Sequence, residues 1–230
     1  MNNFNTNIFS TPIYAAISDN VAIQDLIKQL VYKWKEETYD AITKSGLPHA
    51  GLMSYHWDLG SESNSRADFD KFGITTFYTG NLAIDPEWDP VAQFVINVSK
   101  NLLGSHHTGK TIISNMWATI YPKGAYVPLH DHKPMQWSGV YYVAAHDNCG
   151  DIVFTDPKEY ALQNEPENTS YRGSFKYKIT PKPGMLLMFP SYLKHETNPN
   201  EEDQDRIIIS FNITTDRSNT HRYANTNSIV

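Results

Sequence analysis

Cysteine is almost missing from this chain. Cys149 is the single one in 230 residues, which excludes an intramolecular disulfide and a thiolate zinc site. It falls in Asp147-Asn148-Cys149-Gly150, a turn, and no partner for a cysteine nucleophile is legible around it. Basic charge is also scarce. The net charge is −6 and the pI about 5.8, with no stripe of Lys and Arg, so nothing argues for a nucleic-acid partner. No apolar run approaches the roughly 20 residues that span a bilayer. Residues 1–14 lack a basic start and an apolar stretch, so they do not read as a secretion signal. The expected location is the cytoplasm. In that compartment the glycosylation-type triplets at Asn97, Asn168 and Asn212 carry no meaning.

What is present describes one globular domain over 1–230. Hydrophobic residues make up 40% and charged residues 19%, the balance of a folded chain rather than a disordered one, and the length supports one sizeable core. Aromatics reach 13%. They suit strands and also suit the lining of a cavity.

The pattern changes near residue 111. Before it, two helices are expected. Residues 19–42 carry Val21, Ile23, Leu26, Ile27, Leu30, Val31 and Trp34 at helical spacing. Residues 90–103 carry Val91, Phe94, Val95, Val98 and Leu102, with Asp89 as the expected cap and Gly104 as the stop. Residues 46–80 read as loop with a short strand at Gly73–Tyr78. From 111 onward, short runs recur at 112–121, 126–131, 137–145, 151–154, 174–180, 185–189, 193–197 and 206–214, separated by Pro-, Gly- and Asp-rich turns. That rhythm predicts a mainly β domain, a double-stranded β-helix or jelly roll, over 111–214. Residues 1–110 would give helical support and 215–230 a tail. The polar stretch 156–172 reads as an insertion at the rim.

Two strands have contrasting faces. Ile207, Ile209, Phe211 and Ile213 share one face, opposite Arg206, Ile208, Ser210 and Asn212. Met116, Ala118 and Ile120 oppose Asn115, Trp117, Thr119 and Tyr121 in the same way. The apolar faces can pack on helices while the mixed faces line a cavity.

His130-Asp131-His132 places two imidazoles on one side of an extended segment. His195, after the apolar run 185–189, supplies a third. Three such ligands make a facial site with open positions, suited to iron, zinc, copper or nickel. His106-His107, adjacent and after a helix end, read as surface residues. Arg206 opens the next strand eleven residues after His195. Its bidentate geometry suits a carboxylate, whether one carried by a dicarboxylic cosubstrate or a structural partner such as Asp151 or Asp156.

These residues resemble the 2-oxoglutarate and iron(II)-dependent oxygenases. The order is H-x-[acid or His], then Pro183-Gly184-x-Leu186-x-x-Phe189-Pro190-Ser191-x-x-x-His195, then Arg206. Tyr121-Pro122, Tyr141-Tyr142-Val143 and His195–Pro199 resemble the prolyl-hydroxylase-like branch. Phe9–Tyr14, Ser138–Val143, Asp151–Pro157 and Arg206–Asn212 are similar to a set of bacterial and phage proteins described as 2OG-Fe(II) oxygenases. The resemblance implies Fe(II) as cofactor and 2-oxoglutarate as cosubstrate, with hydroxylation of an unidentified substrate and release of succinate and carbon dioxide. It places His130 and His195 at the two histidine ligand positions, Arg206 at the distal carboxylate, and Tyr121 and Tyr142 beside the cosubstrate. The superfamily's His-x-Asp/Glu is here His130-x-His132. His132 is the expected third ligand, and a carboxylate from elsewhere, such as Asp147, is the alternative. No catalytic residue beyond the metal site is expected. Trp117, Trp137 and 156–172 are candidate substrate walls.

Two other readings stay open. Gly124 followed by His130-x-His132 resembles the first cupin motif, and cupin dioxygenases use three histidines without 2-oxoglutarate. Here Gln136 replaces the expected glutamate, His195 stands far from Gly184, and Arg206 would have no role. The third is a non-enzymatic metal-binding module of the same fold. The substrate class, small molecule or peptidyl side chain, is left open, as is a homodimer.

Overall fold

The computed structural model describes residues 10–45, 75–77, 81–104, 109–158 and 175–215. Chain order is β1 (Tyr14–Ile17), α1 (Val21–Ser45), β2 (Thr75–Phe77), two single 3-10 turns, α2 (Asp89–Leu103), β3 (Thr111–Tyr121), β4 (Trp137–Ala144), β5 (Ile152–Thr155), β6 (Lys176–Ile179), β7 (Met185–Pro190), β8 (His195–Thr197) and β9 (Arg206–Thr215). Two antiparallel sheets result. The major sheet has six strands in the order β1-β7-β4-β9-β3-β2, and the minor one has three in the order β6-β5-β8. The expected jelly roll is the fold observed. No helix among the described residues is long and apolar enough to cross a membrane.

The contrasting strand faces account for the layering. Met116, Ala118, Ile120, Ile207, Ile209, Phe211 and Ile213 are buried in one cluster with Ile27, Leu30 and Val31 of α1 and Val91 and Val95 of α2. The opposite face joins Tyr121, Val140, Tyr142, Leu187, Phe189 and Ile208 to Ile152 and Phe154 of the minor sheet. One sheet thus separates a helix-side core from an inter-sheet core. In β4 the same alternation sends Tyr141 and Val143 to the helices, and Val140 and Tyr142 inward.

The helix ends follow local chemistry. Asn20 caps α1 by accepting from the Ile23 N–H at 3.1 Å. Gly104, at φ 57°, closes α2. Asp89 does not cap α2 as expected. Asp85 caps a 3-10 turn at Pro86–Trp88 by accepting from the Glu87 N–H, that turn leads straight into the helix, and Trp88 becomes its cap with no side-chain bond.

A second difference matters more. No strand forms over 126–131. Pro128 lacks a ladder donor, and the segment runs beside β8 irregularly. It makes one bridge, His130 with His195, and the Thr197 N–H donates to the Val127 carbonyl at 2.9 Å. The strand expected at Gly73–Tyr78 is seen as Thr75–Phe77. His49, His56, His106, His107 and His221, most of 156–172, and the tail beyond 215 lie outside the described residues.

Gly139 in β4 is a packing constraint. A Cβ there would collide with the Phe211 ring of the adjacent β9 strand. Gly139→Ala is therefore expected to destabilise the protein by about 1–3 kcal/mol through overpacking. A urea unfolding midpoint equal to that of the parent protein would refute this.

Candidate metal centre

The bridge between the 126–131 segment and β8 brings His130 and His195 face to face. Each donates its N–H to the other's carbonyl at 2.9 Å, and their rings stand 4.3 Å apart. His132 enters from the same segment. Its N–H bonds the Ser191 carbonyl at 2.9 Å, and its ring lies 4.9 Å from His130 and 5.1 Å from His195. One nitrogen from each of the three imidazoles lies within 4.8 Å of the others. Two nitrogens sharing one ion stand about 3 Å apart at metal–nitrogen distances of about 2.1 Å, so small side-chain rotations close the triad.

The donor chemistry fits a metal. The Nδ1 of His130 lies 2.8 Å from the Pro128 carbonyl, and that of His195 lies 2.9 Å from the Leu193 carbonyl. A carbonyl only accepts, so both Nδ1 atoms carry protons and both Nε2 lone pairs are left for an ion. Burial pushes His130 and His195 down from the ordinary imidazole range, with the neighbouring imidazoles adding to the effect at His195. His132 is pushed down to about 3, first by burial and then by His130. All three are neutral at physiological pH, the form that binds metal. Phe189 packs edge-on against His195 at 4.7 Å, and Trp117 lies 5.9 Å from His132.

Among the described residues no carboxylate joins this group. Asp131 turns to Lys133, with an ion pair at 3.1 Å, as expected for a residue between two inward-facing neighbours. Asp147 is exposed in its turn. Gln136 uses its side-chain oxygen on the Thr215 N–H and hydroxyl, both at 2.9 Å.

Arg206 is 1% exposed. Its Nη1 donates to the carbonyls of Cys149 at 2.5 Å and Gly150 at 2.9 Å, and its Nη2 donates to Thr197 Oγ1 at 3.2 Å. The guanidinium carbon lies 4.1 Å from the centre of the Tyr121 ring, a cation–π contact. Among the described residues, no carboxylate lies within ion-pair distance of it. Asp151 accepts instead from Thr180, and Asp156 from the Lys158 N–H, so neither is the structural partner entertained from sequence. Burial raises the Tyr121 and Tyr142 hydroxyls above the usual tyrosine range, and Arg206 opposes that rise in both. Trp137 departs from its expected place. It packs edge-on against Tyr14 at 5.6 Å, beside the helix-side core rather than the cavity.

Sequence reasoning missed Thr197 and Gly150. Thr197 lies two residues after His195 and so on the same face of β8. That spacing was available as a signal. Its Oγ1 accepts from the Val127 N–H at 2.9 Å as well as from Arg206. Gly150, at φ +90°, lets the backbone approach Arg206. A Cβ there would lie 2.8 Å from Nη1 and would strike the Asn198 carbonyl.

A family model described as "Putative 2OG-Fe(II) oxygenase" matches residues 115–212, the jelly-roll part of the chain. No curated protein matches the sequence. Several solved structures share the fold. A Trichoplax adhaerens prolyl hydroxylase, in complex with a hypoxia inducible factor oxygen degradation domain peptide fragment, is 15% identical, with 87% of this chain and 83% of that chain covered and a TM-score of 0.54. A Pseudomonas putida prolyl-4-hydroxylase is 11% identical over 90% of this chain and 94% of that chain, with a TM-score of 0.51. HygX from Streptomyces hygroscopicus, with nickel and 2-oxoglutarate bound, is 11% identical over 89% of this chain and 83% of that chain, with a TM-score of 0.52. At these identities the likeness to the solved structures is one of fold.

Two substitutions separate the triad from its neighbours. His132→Ala is expected to weaken divalent-metal affinity by more than about 100-fold, beyond what loss of a residue supporting a ligand costs. Asp131→Ala is expected to leave it within about twofold, as befits a surface ion pair. Titration of metal-free protein with Fe(II) under argon measures both, and a reversed order would place the aspartate on the metal.

Proposed function

We propose that this protein is a 2-oxoglutarate and iron(II)-dependent oxygenase that hydroxylates a C–H bond of its substrate, with succinate and carbon dioxide as co-products. The observation that carries this reading is the buried guanidinium of Arg206. A buried cation without an anionic partner is costly, and this one is tied by a hydrogen bond to the strand that carries His195. Thr197, which touches Arg206, and His195 are two residues apart on one strand, about 6.6 Å along it. That separation suits a short dicarboxylate that chelates the metal at one end and meets the arginine at the other.

His130, His132 and His195 would hold the iron through three neutral imidazoles. Iron(II), when bound, supplies the electrons that activate oxygen. The protein's part is orientation and exclusion of water. Arg206 has its Nε–H and one Nη2–H without partners among the described residues, and these take the distal carboxylate of 2-oxoglutarate in a forked contact. The Thr197 oxygen already accepts twice, so its own proton is left to donate to the same carboxylate. Tyr121 stacks on the guanidinium, and Tyr142 and Ile208 are buried in the same apolar cluster as Tyr121.

The three-imidazole donor set also favours a second reading, a cupin-type dioxygenase that does not use 2-oxoglutarate. Oxygen uptake separates the two. The first requires a stimulation by 2-oxoglutarate with matching succinate, and the second shows none.

Arg206→Ala is expected to weaken 2-oxoglutarate binding at least 100-fold while Fe(II) affinity stays within threefold. Calorimetry under argon reads both, and parallel loss would mark the arginine as structural. Thr197→Val removes one bond to a charged group, about 1.5–3 kcal/mol, and should weaken 2-oxoglutarate about 10- to 100-fold. Unchanged affinity would remove the hydroxyl from the site.

A further inference from the structure

The inner face of the major sheet is laid out in rows across its strands. Asn115, Asn212, Ser138 and Phe189 align in one row, and Trp117, Ser210, Val140 and Leu187 in the next. Tyr121 and Arg206 form the row at the far end. The imidazole triad lies over the first two rows, because His195 packs on Phe189 and His132 on Trp117.

A directed chain of hydrogen bonds crosses the first row. The single hydroxyl proton of Ser138 goes to Asn212 Oδ1 at 2.7 Å. Ser191 Oγ must therefore be the donor in its 2.8 Å contact with Ser138. Asn212 Nδ2 then donates to Asn115 Oδ1 at 2.7 Å. Every link has a fixed sense, and the chain ends at the Asn115 Nδ2 group. That group has no partner among the described residues, yet it is not one of the sealed unpartnered atoms. It therefore keeps accessible surface on the inner face of the sheet, in a residue that is 8% exposed. The Ser210 hydroxyl, in the adjacent row, is in the same position. These two rows hold no ionisable side chain.

We propose that Asn115 is the docking point for the substrate, and that it binds an uncharged group of the amide-carbonyl type. This rests on the oxygenase reading and names a substrate class for the same site. Asn115 offers N–H donors, so its complement is an oxygen acceptor. A carboxylate would find no cation in these rows. A hydroxyl could also accept from Asn115, but it needs a further acceptor for its own proton. A carbonyl needs donors only. Arg206 holds the cosubstrate at one end of the face, and Asn115 holds the substrate's carbonyl at the other, with the triad next to it. Ser191 ties the two together, since its hydroxyl starts the chain and its carbonyl accepts from His132.

The test uses full-length protein loaded with zinc, with and without 2-oxoglutarate, and follows the Asn115 side-chain amide and the Trp117 indole by proton–nitrogen NMR. N-methylacetamide, acetate and methylammonium serve as matched probes. N-methylacetamide is expected to shift both signals saturably, at least tenfold more than either ion at equal concentration. Equal shifts from methylammonium, or from acetate added to metal-free protein, would overturn the proposal. Asn115→Asp keeps the bond from Asn212 and replaces the outward donors with an anion. In that variant the indole response to N-methylacetamide should fall at least tenfold, methylammonium should become the perturbing probe, and 2-oxoglutarate affinity should stay within threefold. An undiminished N-methylacetamide response would overturn the assignment. If Asn115→Asp does not fold, the probe preference of the wild-type protein decides alone. Failure of wild-type protein to bind 2-oxoglutarate would instead sink the oxygenase reading, and it is seen in a separate titration.

Discussion

A guanidinium sealed inside the fold, with no carboxylate at ion-pair distance among the described residues, sets the terms for this molecule. Arg206 is held by two backbone carbonyls, one hydroxyl and the face of Tyr121. Those contacts satisfy part of its donor set and supply no countercharge. Such a charge persists only if the surroundings are committed to it. The commitments are visible: a glycine at 150 where a side chain would strike Arg206, the Cys149 and Gly150 carbonyls turned inward, and a threonine from the strand that carries His195. The arginine and the triad are thus coupled through β8.

The neutral triad alters the charge of the site. With a carboxylate ligand, iron(II), a dianionic cosubstrate and one arginine would sum to zero. With three imidazoles, as in the oxygenase proposed above, the sum would be one positive charge. Oxygen acceptors suit such a site better than cations do. The donors at Asn115 and Ser210 would favour oxygen acceptors as well, so charge and hydrogen-bond polarity agree within that proposal.

The architecture was legible because it rests on periodicity. Alternation in 115–121 and 206–213 separated the helix-side core from the cavity before any coordinates, and the structure keeps that division residue by residue. Local chemistry near element ends was harder. Asp89 looked like a cap because the turn at Pro86–Trp88 leaves little trace in sequence. The run 126–131 looked like a strand because its residue types allow one, yet Pro128 and the pairing with β8 made it an irregular edge. Trp137 reads from sequence as a candidate substrate wall, and only the pairing of β4 places it against Tyr14 on the helix side of the sheet.

Sequence alone determined the strand faces, the jelly-roll rhythm, and the residue types at 130, 132, 195 and 206, because side-chain alternation and spacing are local properties of a chain. Tertiary structure decided what those residues meet. Asp131 turning to Lys133, Arg206 finding carbonyls and Thr197 rather than Asp151 or Asp156, and Ser191, Ser138, Asn212 and Asn115 joining into one directed chain all depend on pairing between strands far apart in sequence. Register and sheet closure set those distances, and neither is written in any single segment.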